Sequence, residues 1–289
     1  MERWSGRVAI VTGSSSGVGA AVAEKLAQFG VKVVGLDIAG TGTDDFGGHL
    51  HRKHCDVTKD EEVRAAIDWV DHTLGGADIL VNCAGLAPAN TLTGCEAKTD
   101  VWRATLYVNV IGLSVCTREV IRSMRERGID DGHVVHFGSI YGHAVSSHPS
   151  LIMYSASKHA VRALTEGLRR ELVELHSKIK ISSISPGFIY TPMVLNHFGR
   201  QVFDDNPYLY PQDVADAVAF VLGTPPHVQG LWKHGHRGHI NRLPAHSNSR
   251  ENQKIRRSIE TKHVAPFPVV CVCKEDPTEP RYRADDGTS

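Results

Sequence analysis

Apolar positions along this chain follow two alternating periods. Short runs rich in Val and Ile, at residues 7–11, 31–37, 50–55, 78–82, 133–137 and 180–185, read as buried strands. Between them lie segments with apolar residues three and four apart. These are Ala20 to Phe29, Lys59 to Leu74 (Val63, Ala66, Ile67, Val70), a region carrying Trp102, Leu106, Val110 and Leu113, a stretch from Tyr154 to Leu175, and Gln212 to Leu222. Such spacing gives helices with one apolar stripe. Repeated alternation of strand and helix predicts an α/β fold: a doubly wound parallel sheet with helices on both faces and ligands beyond the strand C-terminal ends.

The pattern lapses near Val228. From Gly230 to His239 no alternation remains, and the sequence onward from Leu231 is basic, His-rich and Pro-punctuated. One domain over residues 1–230 is expected, followed by an atypical tail, 231–289, whose composition favours disorder over a second domain. Within it Val269 to Val272 is a candidate edge strand. His234, His236 and His239 with Cys271 and Cys273 match no closed zinc spacing, and no metal is expected.

Composition narrows the function classes. Lys+Arg 32 against Asp+Glu 32 gives zero formal net charge and a pI near 7.3, which argues against nucleic acid as a partner. The N-terminus runs straight into a strand, no apolar run appears long enough to span a bilayer, and the chain reads as cytoplasmic. Six scattered Cys have no scaffold spacing and are expected as reduced thiols.

Candidate chemistry begins at Thr12-Gly13-Ser14-Ser15-Ser16-Gly17-Val18-Gly19, between a strand and a helix. Gly13 permits a tight turn, Gly17 lets the backbone approach a pyrophosphate, and Gly19 lets the helix pack against its strand, as in a Rossmann fold. The helix N-terminus would offer free N–H groups to phosphate; the bland alternative is a structural turn. Asp37 closes the second strand at the offset where such folds hold the adenosine ribose. A carboxylate there accepts from the 2′- and 3′-hydroxyls and repels a 2′-phosphate, so NAD is expected over NADP, with a simple loop cap as the alternative. Asp56 is placed to meet the adenine amino group. Tyr154 and Lys158, four residues apart, share one helix face, where a charged Lys158 would favour the tyrosinate. By itself that pair is equally an ordinary surface pair, and Asn109 alone reads as a surface helix residue. Ser139 sits at a strand C-terminus.

Thr12 to Gly19, Asn82-Cys83-Ala84-Gly85, Asn109, Ser139, Tyr154 with Lys158, and Pro186-Gly187 occur in an order and spacing that resembles the short-chain dehydrogenase/reductase family over residues 5–228. Met1 to Trp4, Cys116 to Glu119 and Leu164 to Arg169 look most like the branch that holds dehydrogenase/reductase member 11 and insect farnesol dehydrogenases. The resemblance implies that Ser139 hydrogen-bonds the substrate oxygen and that Tyr154 removes the hydroxyl proton. It also implies that Lys158 binds the nicotinamide ribose and lowers the Tyr154 pKa, while Asn109 holds a water linking Lys158 to solvent. Ile189 and Thr191 would meet the carboxamide and Asn82 the adenosine side. Ser15, Ser16, Val18, Val57, Ala84, Gly85, Pro186 and Gly187 complete the implied cofactor site. Where that branch generally carries a basic residue this chain has Asp37, which favours NAD.

The implied activity is hydride transfer between NAD and a hydrophobic alcohol or carbonyl, a farnesol-like isoprenoid or a secondary alcohol. A steroid or other ketone reductase using NADPH and a non-catalytic nicotinamide-binding regulatory protein are the alternatives. Val194, Leu195, Phe198, Phe203, Tyr208 and Tyr210 are expected either to form an apolar lid or simply to pack their helix. A homodimer or homotetramer is expected if the tail permits one.

Overall fold

The computed structural model describes residues 1–40, 42–44, 48–95, 97–228 and 269–272. In chain order the elements are β1 (Val8–Thr12), α1 (Gly17–Gln28), β2 (Lys32–Asp37), β3 (Gly42–Asp44), β4 (Leu50–His54), α2 (Asp60–Leu74) and β5 (Ile79–Asn82). Then follow α3 (Thr99–Leu106), α4 (Leu113–Glu126), β6 (His133–Phe137), α5 (Ile152–Glu174), β7 (Lys180–Pro186), α6 (Pro192–Phe198), α7 (Val202–Asp205), α8 (Pro211–Gly223) and β8 (Val269–Val272).

The strands form one eight-stranded sheet in the order β3-β4-β2-β1-β5-β6-β7-β8. All pairings are parallel except that of β3 on β4. β3 lies in the polar loop that hydropathy leaves without structure: three residues without apolar alternation give no strand signal, and pairing to β4 supplies the order. At the other edge β8 pairs residues Val269 to Val272 with Ser183 to Pro186 of β7. The rest of the tail, with its His and Cys positions, lies outside the described residues.

Alternation along β1 divides the core. Ala9 and Val11 face α1 and α8 with Val22, Leu26, Val214 and Val218, while Val8 and Ile10 face α2 and α4 with Val63, Ile67, Val120 and Met124. Because β1 and β5 are parallel neighbours although α1 to α2 separate them in sequence, the order in which strands join the sheet reverses between them. A ligand crevice opens beyond the C-terminal ends of such a strand pair.

The helix from Thr99 to Glu126 runs 28 residues with a most apolar window of mean hydropathy 1.2, so length and composition would let it cross a bilayer. This departs from the expectation that no such run exists. Half of that window is buried in the fold, where Val115, Val120 and Met124 pack under the sheet. A core helix meets the same length and hydropathy test as a spanning one.

Trp4, in the 3₁₀ turn before β1, ties the N-terminus to α8. Its ring is fully buried, its Nε1 donates to the Leu222 carbonyl at 2.7 Å, and Arg3 stacks 4.2 Å from its centre. Trp4→Ala should lower the unfolding free energy by about 3–5 kcal/mol, and Trp4→Phe by about 1 kcal/mol, read from urea denaturation followed by circular dichroism.

Candidate active site

A cavity of about 520 Å³ opens at the reversal between β1 and β5. Its floor is the glycine loop. Gly13 has φ +68° and a side chain there would come within 2.8 Å of the Ala84 backbone, while one on Gly19 would overlap the Gly13 carbonyl at 2.0 Å. Gly17, with φ +53°, lies against Thr191. Ser16 caps α1 without a side-chain bond, so the first-turn N–H groups are open to the cavity beside Val18 and Gly17. Thr12 Oγ1 accepts from Ala84 N–H at 3.1 Å and locks the two strand ends together.

Asp37 lines the cavity at the end of β2. Its Oδ2 accepts from Ser15 N–H and its Oδ1 from Ala39 N–H, both at 3.0 Å. Loop capping and ribose selection are therefore not exclusive: each oxygen has one backbone donor and a further lone pair. Asp56 lines the same rim with Val57, its Oδ1 held by Thr58 N–H at 3.0 Å and Thr58 Oγ1 at 2.7 Å. Ala84, Gly85, Pro186, Gly187, Ile189 and Thr191 also line it.

Three sequence candidates are not lining residues. Ser15 meets Asp37 through its backbone N–H instead. Asn82, the last residue of β5, is buried, its Nδ2 donating to Thr117 Oγ1 of α4 at 3.0 Å; its Oδ1 has no partner. Asn109 is also buried. It accepts Leu86 N–H on Oδ1 at 2.7 Å and donates from Nδ2 to Leu86 carbonyl at 2.8 Å and Ser157 Oγ at 3.0 Å. The amide thus clips the Leu86 loop to α5. Around it, residues Tyr107–Gly112 are π-helical, a local widening frequent at functional sites that no hydropathy period reveals.

Ser139, Tyr154 and Lys158 do converge on the cavity. Ser139 caps the 3₁₀ turn Ile140–Gly142, its Oγ accepting from Tyr141 N–H at 3.1 Å. That bond occupies a lone pair and leaves the hydroxyl proton free to donate toward Tyr154. Lys158, buried, donates from Nζ to the Phe137 carbonyl at 2.8 Å and stands 5.7 Å from the Tyr154 ring centre. Burial pulls its pKa down to about 8. For Tyr154, burial pushes the phenol up to about 12, against a lowering hydrogen bond from Ser139. Desolvation, the largest influence on the phenol, thus runs opposite to the fall expected from Lys158, which stands 5.7 Å from the ring centre.

Several lining residues escape sequence reasoning. Leu86 and Val108 line the cavity, and Met193 on α6 lines it beside Val194. Apolar side chains give no chemical signal; only the fold collects them. Of the proposed lid, Val194 and Phe198 face the site, whereas Phe203, Tyr208 and Tyr210 stack with Tyr190, at centre distances of 4.8, 5.9 and 6.1 Å.

Fold and site together define a Rossmann-type oxidoreductase. Residues 7–201 match the family model described as short chain dehydrogenase, and the chain belongs to that family. Over 249 residues it is 41% identical to dehydrogenase/reductase SDR family member 11 of Mus musculus, covering 79% of this chain and 93% of that protein. Farnesol dehydrogenase of Aedes aegypti is 40% identical over 237 residues, covering 79% and 95%. Among solved structures, the closed form of serine dehydrogenase complexed with NADP+ superposes with a TM-score of 0.67 at 26% identity, over 76% of this chain and 91% of that one. Ligand-free aldohexose dehydrogenase of Thermoplasma acidophilum gives 0.65 at 28%, over 76% and 88%.

A buried lysine with a lowered pKa has a definite pH signature. Between about pH 8 and its ordinary 10.5 the unfolded chain binds the extra proton, so the cost is full below pH 8 and relieved as pH rises through that window. Lys158→Met should raise the urea midpoint of the cofactor-free protein at pH 7 and flatten the gain in stability across that window.

Proposed function

We propose that this protein transfers a hydride between NAD and a hydrophobic alcohol or its carbonyl, a farnesol-like isoprenoid or a secondary alcohol, with Tyr154 as general base and acid. The observation that carries the reading is the convergence of Ser139, Tyr154 and Lys158 on the cavity that also holds the open α1 N-terminus and Asp37.

The residues present fit the dinucleotide. A glycine cradle too tight for side chains, an uncapped helix start and a carboxylate at the β2 end supply, in order, backbone approach, anion stabilisation and ribose acceptance. When bound, NAD supplies the hydride acceptor. Ser139 and Tyr154 bind the substrate oxygen by hydrogen bonds, which strengthen as that oxygen becomes an alkoxide. Tyr154 takes the hydroxyl proton in oxidation and returns it in carbonyl reduction. A phenol raised to about 12 is a good donor and a poor base, so oxidation needs positive charge near it. Lys158, fixed by Phe137, supplies part of that charge and a donor for the ribose. Asn109 positions Leu86 and, through Ser157, the start of α5.

Asp37 supports NAD. Its two oxygens stand at the rim with backbone donors already in place, and a 2′-phosphate there would face a fixed negative charge. The related serine dehydrogenase was solved with NADP+, so cofactor choice is tested directly. The NAD-over-NADP ratio of kcat/KM should exceed one and fall by about tenfold in Asp37→Ala. A wild-type enzyme faster with NADP sinks the Asp37 argument.

Tyr154→Phe should cut kcat by about a thousandfold while the Kd for NAD stays within about twofold of wild type, followed by absorbance of reduced nicotinamide with farnesol and a panel of secondary alcohols. NAD binding without turnover of any alcohol by the wild-type protein would instead favour the regulatory reading.

A further inference from the structure

Beside Tyr154 a small chamber, about 60 Å³, is walled by Tyr141, Leu151, Phe188, Met193, His197 and Phe198. Apart from Ser139 and His197 the lining is apolar, aromatic or glycine, and the proton chemistry above gives His197 no task. Its imidazole is nevertheless held from several sides. Nε2 lies 3.3 Å from Ser150 Oγ, the Ala87 backbone borders the same chamber and favours the ring N–H, and the ring packs edge-on against Phe198 at 4.2 Å. Ser150 Oγ lies in turn 2.7 Å from His148 Nδ1, and the Ser150 carbonyl accepts Asn90 N–H at 2.9 Å.

Three separate segments therefore meet at one ring: the loop after β5 through Ala87, the turn before α5 through Ser150, and α6 itself. A neutral imidazole has one donor and one acceptor. With its N–H turned toward Ala87, the ring keeps Nε2 to accept the Ser150 hydroxyl proton, and Ser150 then accepts from His148. Burial, with His148 close by, holds the His197 pKa below the ordinary histidine range, which keeps that neutral form.

We propose that His197 is the specificity-determining residue of this site: latched between Ala87 and Ser150, it closes the far wall of the chamber and restricts the substrate to a compact carbon skeleton beside the carbinol carbon. The inference rests on the hydride-transfer reading above and chooses within it. Volume decides the choice. The chamber's 60 Å³ is less than half of the roughly 150 Å³ in which an engineered apolar cavity takes up benzene. A branch of a few carbons fits in the chamber past Tyr154; a farnesyl chain extends into it only if the ring is displaced. The Ser150 hydroxyl on one side and the Ala87 carbonyl on the other oppose that displacement.

The test compares farnesol with sec-butanol, using the full-length protein with NAD. Both kcat/KM and, by calorimetry, the Kd for each alcohol on the NAD-loaded protein are read. His197→Ala should raise the farnesol-to-butanol ratio by about tenfold or more in both measurements. Ser150→Ala, which frees one side of the ring, should move the ratio part of the way. His197→Gln keeps a donor for Ala87 and an acceptor for Ser150, and should hold the wild-type ratio. An unchanged ratio in His197→Ala, with both alcohols losing equally, overturns the latch and marks the residue as merely structural. So does a His197→Gln protein that behaves like His197→Ala. Absence of turnover in the wild-type protein, with the binding ratio still shifting as stated, supports the latch and counts against hydride transfer alone.

Discussion

Removing an ammonium from water is the constraint on which this site is built. Lys158 is buried and, among the described residues, forms no ion pair; its Nζ rests on the Phe137 carbonyl at 2.8 Å. Without a carboxylate the charge is only partly compensated, and its pKa falls to about 8. Much of the surrounding architecture serves that placement. β6 must end where Phe137 can present its carbonyl, and α5 must begin close enough that a side chain at Gly142 would strike the Lys158 backbone at 2.7 Å. Asn109 fixes the Leu86 loop against α5 from the other side. A cation held so is destabilising for the empty protein and useful to a bound anion or ribose, an exchange of stability for function found at many active sites.

How much of this is legible in sequence depends on the kind of signal. Strands β1, β2, β4 to β7 and the long helices follow from period alone, because a sheet covered on both faces needs nearly continuous apolar runs and helices need stripes. Tyr154 and Lys158 are ambiguous until the glycine loop and Asp37 give them a context. The π-helical stretch at Asn109 is invisible, since its hydropathy differs little from that of an α-helix. Asn82 and Ser15 show a second limit: the motif marks them, but the fold turns the Asn82 amide toward Thr117 and uses Ser15 through its backbone. His197 gives no sequence signal at all, because its partners Ala87 and Ser150 are distant in the chain.

The sheet edges illustrate the same limit from another side. A four-residue run, Val269–Val272, is too short to distinguish from chance in a polar tail, yet it pairs in register with β7 along the last open strand. β3 does the same at the opposite edge with three residues. In both cases the backbone of an existing strand, and not local propensity, supplies the reason for order. β7 also leads through Pro186-Gly187 to Ile189 and Thr191, which border the cavity, so cover on that edge bears on the wall that faces the cofactor.

The central claim is that a hydride passes directly from an alcohol carbon to the nicotinamide within this cavity. It is tested most directly by supplying the protein with NAD and an alcohol deuterated at the carbinol carbon and weighing the reduced nicotinamide by mass spectrometry. The account predicts reduced cofactor carrying one deuterium per turnover. Reduced cofactor without the label, or none formed while NAD is bound, would contradict it.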